Sequence, residues 1–183
     1  MTEHVTPLTF TVTLLRPAKP DGDAFYAFAV LPGEVSAQLP RRGRVTVAVS
    51  LNDQRFQVTL EPDGQLSHWL RLSRPLCEAA GVQAGDSVSL ELMTLPQEPE
   101  PEVPADLHQA LQAAPAALAV WQGTTPLARL DWIHWITSAK QLKTRSKRIS
   151  DACDMLASGK QRVCCFDPSG FYSKAFCAPV AAD

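Results

Sequence analysis

LPQEPEPEVP, residues 95–104, holds four prolines and three glutamates in ten positions. Such a stretch does not fill a core, because proline removes backbone donors, fixes an extended φ, and here alternates with carboxylates that repel one another. It reads as an acidic spacer over residues 96–104. The sequence on its two sides keeps different periods, and that change decides the fold.

Upstream, the period is two. LTFTVTLL (8–15) alternates Leu8, Phe10, Val12 and Leu14 with three threonines, and RVTVAVS (44–50) alternates Val45, Val47 and Val49 in the same way. Both are strands with one buried face. FYAFAVL (25–31), RFQVTL (55–60), LSHWLRL (66–72) and SVSLELM (87–93) add four more, separated by turn residues at Asn52-Asp53, Glu61-Pro62-Asp63-Gly64 and Ala84-Gly85-Asp86. PGEVSAQL (32–39) and RPLCEAAG (74–81) break the alternation and read as short helices, the second stopping at Gly81. Residues 1–95 are therefore expected to form a small antiparallel β-barrel with two short helices.

Downstream, the period is helical. ADLHQALQAA (105–114) sets Leu107, Ala110, Leu111 and Ala114 on one side, with Asp106 as the expected N-cap. Pro115 opens a second short helix over 116–121. A third spans about 127–139 with Leu130, Ile133 and Ile136 inward. A fourth spans about 145–158, capped by Thr144, stopped by Gly159, and buried along Ile149, Cys153 and Leu156. The residues after RVCCF (162–166) show no period. The whole is an α+β protein, with a small all-α domain over 105–183 following the barrel.

Charge is segregated. The chain of 183 residues has a net charge of -2, yet residues 129–174 hold nine basic and four acidic side chains. WITSAKQLKTRSKRI (135–149) concentrates five of these cations, Lys140, Lys143, Arg145, Lys147 and Arg148, with no acid among them. No segment approaches the roughly 20 apolar residues of a membrane span, and the N-terminal residues MTEHVTPLTF lack a basic leader and an apolar core. A cytoplasmic protein is expected. The five cysteines, Cys77, Cys153, Cys164, Cys165 and Cys177, are odd in number, show no disulfide framework, and read as reduced thiols.

Two stretches resemble known families. LPGEVSAQLPRRGRVTVAVSLNDQRFQVTLEPDG followed by GVQAGDSVSLEL is similar to a bacterial β-barrel domain of unknown function that precedes many YdeI-type proteins. VPADLHQAL and LDWIHWITSAKQLKTRSKRI resemble the YdeI/OmpD-associated domain, whose name also refers to bacteriocin protection. The pairs that carry this likeness are Trp135-Ile136, Ala139-Lys140, Thr144-Arg145 and Arg148-Ile149. One departure is Lys143, which stands where that family often has an acid. The resemblance covers about residues 8–165 and brings no catalytic residues with it. Gly85-Asp86-Ser87-Val88-Ser89-Leu90 is also similar to the ends of AbrB-like barrels, some of which bind DNA, but a shared fold does not transfer that function.

The basic stretch is the candidate site. A helix start with open N–H groups and cations beside it suits an anion, so Lys140, Lys143, Arg145, Lys147 and Arg148 are the candidate anion-binding residues. Candidate partners are a nucleic acid, a phosphate-containing ligand or an acidic protein. Solvated surface is the commoner fate of a charge run, with Arg145 or Arg148 tied to Asp131, Asp151 or the acidic spacer. Glu98, Glu100 and Glu102 are placed to lie against the patch. No catalytic residue, metal site or cofactor motif is read: the histidines His4, His68, His108 and His134 are scattered, and no Gly-x-Ser-x-Gly elbow or phosphate loop occurs. His68 falls on the face of Leu66 and Leu70 and reads as a half-buried core histidine. Trp121, Trp132 and Trp135 read as helix core rather than a stacking platform. Lys160 and Arg162 beside Cys164 leave room for a reactive thiol. The reading is a non-enzymatic binding protein in a stress or envelope-resistance role, as the family name implies. The alternatives are an interaction module without anion binding and an enzyme with a site between its domains.

Overall fold

The computed structural model describes residues 5–183. Unit one comprises residues up to Gln97 together with Ser169–Asp183, and unit two is Glu98–Pro168.

Unit one is a nearly closed six-stranded antiparallel barrel. Its strands are β1 (Leu8–Thr13), β2 (Ala27–Val30), β3 (Val45–Leu51), β4 (Gln54–Pro62), β5 (His68–Leu72) and β6 (Ser87–Thr94), in the order β1-β6-β3-β4-β5-β2. The alternation seen in sequence sets the register. Leu8, Phe10 and Val12 face Leu92, Leu90 and Val88 across β1–β6. Val45, Val47 and Val49 face Leu60, Val58 and Phe56 across β3–β4. A slip by one residue would turn each of these pairs outward, so core burial fixes the pairing. The edges meet at Leu15 and Phe28, whose amides and carbonyls exchange bonds of 2.8 and 2.9 Å. That bridge brings β1 beside β2 and leaves little free sheet edge.

Short helices cap the barrel. α1 (Gly33–Ser36) is a single turn. α2 (Arg74–Ala80) follows the expected signals: Ser73 Oγ accepts from the Leu76 N–H, Pro75 sits in the first turn, and Gly81 ends the helix at φ 69°. The β3–β4 hairpin turns on Asn52, at φ 52°, whose side chain donates to the Ala80 carbonyl at 2.6 Å. This ties the hairpin tip to the end of α2.

The aperiodic tail does not belong with the helices. Residues 169–183 return to unit one, where Ala18 N–H donates to Val180 O and Ala182 N–H to Arg16 O, both at 2.8 Å. Ala178 packs beside Phe25, Phe28 and Trp69, a small apolar cluster on the barrel. Backbone pairing with a distant strand leaves no local period, so sequence alone had grouped the tail with the segment before it.

Unit two contains α3 (Ala105–Gln112), α4 (Pro115–Gln122), α5 (Pro126–Thr137) and α6 (Leu142–Ala157). Leu107, Leu111, Trp121, Trp132, Ile133, Ile136, Ile149, Ala152 and Leu156 form its buried core. Cys153 lies at the edge of that core, half-buried, and Ala152 completes the stripe. Two expected caps are placed differently. α3 starts after Pro104, putting Asp106 inside its first turn, and α6 starts after Gln141, putting Thr144 inside the helix. No regular element covers residues 95–104.

Candidate functional site

The start of α6 gathers the basic stretch, and the five cations there fare differently. Arg145 makes a two-pronged contact with Asp106: Nε donates to Oδ2 at 2.7 Å and Nη2 to Oδ1 at 3.0 Å. The guanidinium holds the Asp106 carboxyl below the usual carboxylate range, and the carboxylate raises Arg145 in return. Lys147 pairs with Asp151 one turn on, at 2.6 Å. Arg148 caps the end of α5, donating to Trp135 O at 2.5 Å and Ser138 Oγ at 3.2 Å, with its guanidinium 5.5 Å from the Trp135 ring. Lys140 and Lys143 are exposed and form no ion pair among the described residues.

The expected ties on the patch fall differently: Arg145 takes Asp106, Asp151 takes Lys147, and Glu100 of the acidic spacer pairs with Arg129 at 2.5 Å. Arg129 also donates to Trp121 O, Gln122 O, Thr124 O and Thr124 Oγ1. It thus satisfies carbonyls at the end of α4 that the helix itself leaves open.

Sequence reasoning missed Leu142. It stands seven residues before Ile149 and fourteen before Leu156, so it lies in line with the buried stripe of α6, two turns ahead of it. Yet its position in the first turn leaves it 77% exposed. Gln141 makes no side-chain cap, and the first intrahelical bond shown is Arg145 N–H to Gln141 O. The N–H groups of Leu142, Lys143 and Thr144 therefore point out of the helix end. The heptad step from Leu142 to Ile149 was the available signal.

The remaining chemistry is internal. His68 is fully buried rather than half-buried. Its Nε2–H donates to Gly43 O at 2.8 Å, so Nδ1 accepts from the Ser36 hydroxyl at 2.7 Å. Burial pushes its pKa down, against the upward pull of the Gly43 bond. A serine and histidine this enclosed pin α1 to β5 and offer no face to a substrate. Asp63 works in its turn, accepting from the Gln65 and Ser67 N–H groups at 2.8 Å each. His134 is buried edge-on against Phe166, His108 is exposed, and His4 lies outside the described residues. Trp132 and Trp135 pack 6.3 Å apart at 69°, and Trp121 is buried with Trp132. Cys77 is buried and its thiol pushed up by desolvation, as is that of half-buried Cys153. Among the described residues, no group of three or more His, Cys, Asp or Glu is placed to hold a metal ion, and no helix is long and apolar enough to cross a membrane.

The fold defines a class, an antiparallel barrel followed in the chain by a helical unit. Residues 10–92 match the family described as domain of unknown function DUF1905. Residues 100–159 match the family described as bacteriocin-protection, YdeI or OmpD-associated. The chain thus carries a region similar to each family, the DUF1905 region first and the YdeI/OmpD-associated region after it. A search of the curated proteins found no match.

Proposed function

We propose that this protein is a non-enzymatic cytoplasmic binding protein that captures an acidic polypeptide segment at the start of α6. One observation carries the reading: Leu142, 77% exposed, sits between two unpaired lysines, Lys140 and Lys143, at an uncapped helix end. Carboxylates of the partner would meet those lysines and the open N–H groups, which favour negative charge. An apolar side chain of the partner would cover Leu142. A bare phosphate backbone supplies the charge but nothing for the leucine. Arg145, Lys147 and Arg148 already hold internal partners, so they add to the local field more than to direct contact. A role in stress or envelope resistance agrees with the bacteriocin-protection name of the family.

The test is fluorescence anisotropy with a labelled peptide of alternating glutamate and leucine, beside single- and double-stranded DNA, over a salt series. Wild type is compared with Lys140→Glu/Lys143→Glu and with Leu142→Ser. The peptide should bind with salt dependence, losing affinity in both variants. Tighter binding of DNA, with Leu142→Ser silent, would replace the acidic segment by a nucleic acid. No binding of either would leave α6 a solvated edge.

A further inference from the structure

Cys164 and Cys165 follow α6 on a turn, both exposed, with their sulfurs 3.1 Å apart. Cys165 adopts φ 59°, a left-handed conformation that L side chains rarely take. The turn is anchored on both flanks. Trp132 Nε1–H donates to Gln161 O at 3.2 Å and Val163 packs on the helical core, while Phe166 lies edge-on to His134 at 5.3 Å. Anchoring restricts the two thiols to one small region, so whatever reacts with one meets the other at high effective concentration.

We propose that Cys164 and Cys165 form a reactive dithiol that a hydroperoxide converts reversibly to a disulfide between neighbouring residues. The Cys165 thiol is held above the ordinary cysteine range by its hydrogen bond to the Cys164 sulfur, with Lys160 pulling the other way. Either sulfur can donate in this contact; the first attack is here assigned to Cys164 and the resolving step to Cys165. The Cys164 thiolate attacks one peroxide oxygen. An S–O bond forms, the O–O bond breaks, and the departing oxygen takes up a proton and leaves as water or alcohol. Cys165 then attacks the sulfenic sulfur, forming the S–S bond and breaking the S–O bond. The second oxygen leaves as water with the Cys165 proton. Two thiols lose two electrons and the peroxide gains them. Neighbouring Cα atoms stand only about 3.8 Å apart across a trans peptide, below the usual disulfide separation. The ring is therefore strained and readily reopened by a thiol reductant.

The sequence makes the test clean. Trypsin cutting after Arg162 and Lys174 releases residues 163–174, which contain Cys164 and Cys165 and no other cysteine. The full chain is treated with one equivalent of hydrogen peroxide, alkylated, digested and weighed. The expected product is this peptide lighter by two hydrogens and unalkylated, restored by dithiothreitol. In Cys165→Ser the expected product is instead a Cys164 sulfenic acid, trapped by a cyclic diketone. A doubly alkylated peptide after oxidation would overturn the proposal. So would a peptide whose sulfurs carry only added oxygen, or one linked to a second chain.

Discussion

Arg145 and Asp106 meet as a fork and a carboxylate, 39 residues apart in sequence, at 2.7 and 3.0 Å. The pair ties the first turn of α6 to the first turn of α3. Planar two-pronged geometry is the form in which an arginine exceeds a lysine.

The pair should be measurable in a double-mutant cycle of Arg145→Ala and Asp106→Ala. Partial exposure limits the expected coupling to about 0.5–1 kcal/mol, reduced by salt. Because the folded carboxyl is depressed, its stabilisation is present above about pH 4. It is lost as pH falls through the folded value. Urea unfolding of wild type and Asp106→Asn between pH 2 and 5 should converge at the acid end.

His68 gives a second pH window. Its folded pKa is depressed, so the unfolded chain binds the proton more readily. Stability should be full above about pH 6.5 and decline as pH falls below it. His68→Leu should lose that slope. It should also cost about 1–3 kcal/mol for each buried group left unpaired, Ser36 Oγ and Gly43 O. A wild-type protein equally stable at pH 5 and 7 would contradict this.

Arg129 should resist conservative replacement. Its side chain reaches carbonyls and a hydroxyl around the α4–α5 connection, and an ammonium has no fork to serve them all. Arg129→Lys should fall most of the way to Arg129→Met in thermal denaturation, with Arg129→Met costing about 1–3 kcal/mol.

Gly64 should report on the tail. It holds φ 75°, and a Cβ there would stand 2.0 Å from the Phe176 carbonyl oxygen. Gly64→Ala should destabilise by about 1–2 kcal/mol from backbone handedness alone. It should also push the tail off the barrel, so that limited chymotrypsin cleavage at Phe171 and Tyr172 quickens. Unchanged cleavage would show that the tail stays docked without that contact.

The strands were legible because a one-sided core imposes alternation. Phe10, Val47 and Leu90 announce their faces within a few residues of sequence. The helices were legible for the same reason at their own period. Local windows failed where the deciding partner is distant. Asp106 resembled an N-cap, but Arg145 and the Pro104 start of α3 give it a different place. Thr144 resembles a cap when the helix is started near Arg145, but α6 opens three residues earlier, at Leu142. Trp69 is buried on the opposite side of β5 from Leu70 because Phe25, Phe28 and the returning tail cover it, which alternation in β5 does not reveal. His68 looked half-buried because its two partners lie 25 and 32 residues away.

The start of α6 is tested most directly by amide chemical-shift mapping of the full chain during titration with the glutamate–leucine peptide. The amides of Leu142, Lys143 and Thr144 and the Leu142 methyls should shift together and saturate, and Lys140→Glu/Lys143→Glu should abolish the response. Shifts confined to the barrel, or none at all, would contradict an acidic-segment site at this helix end.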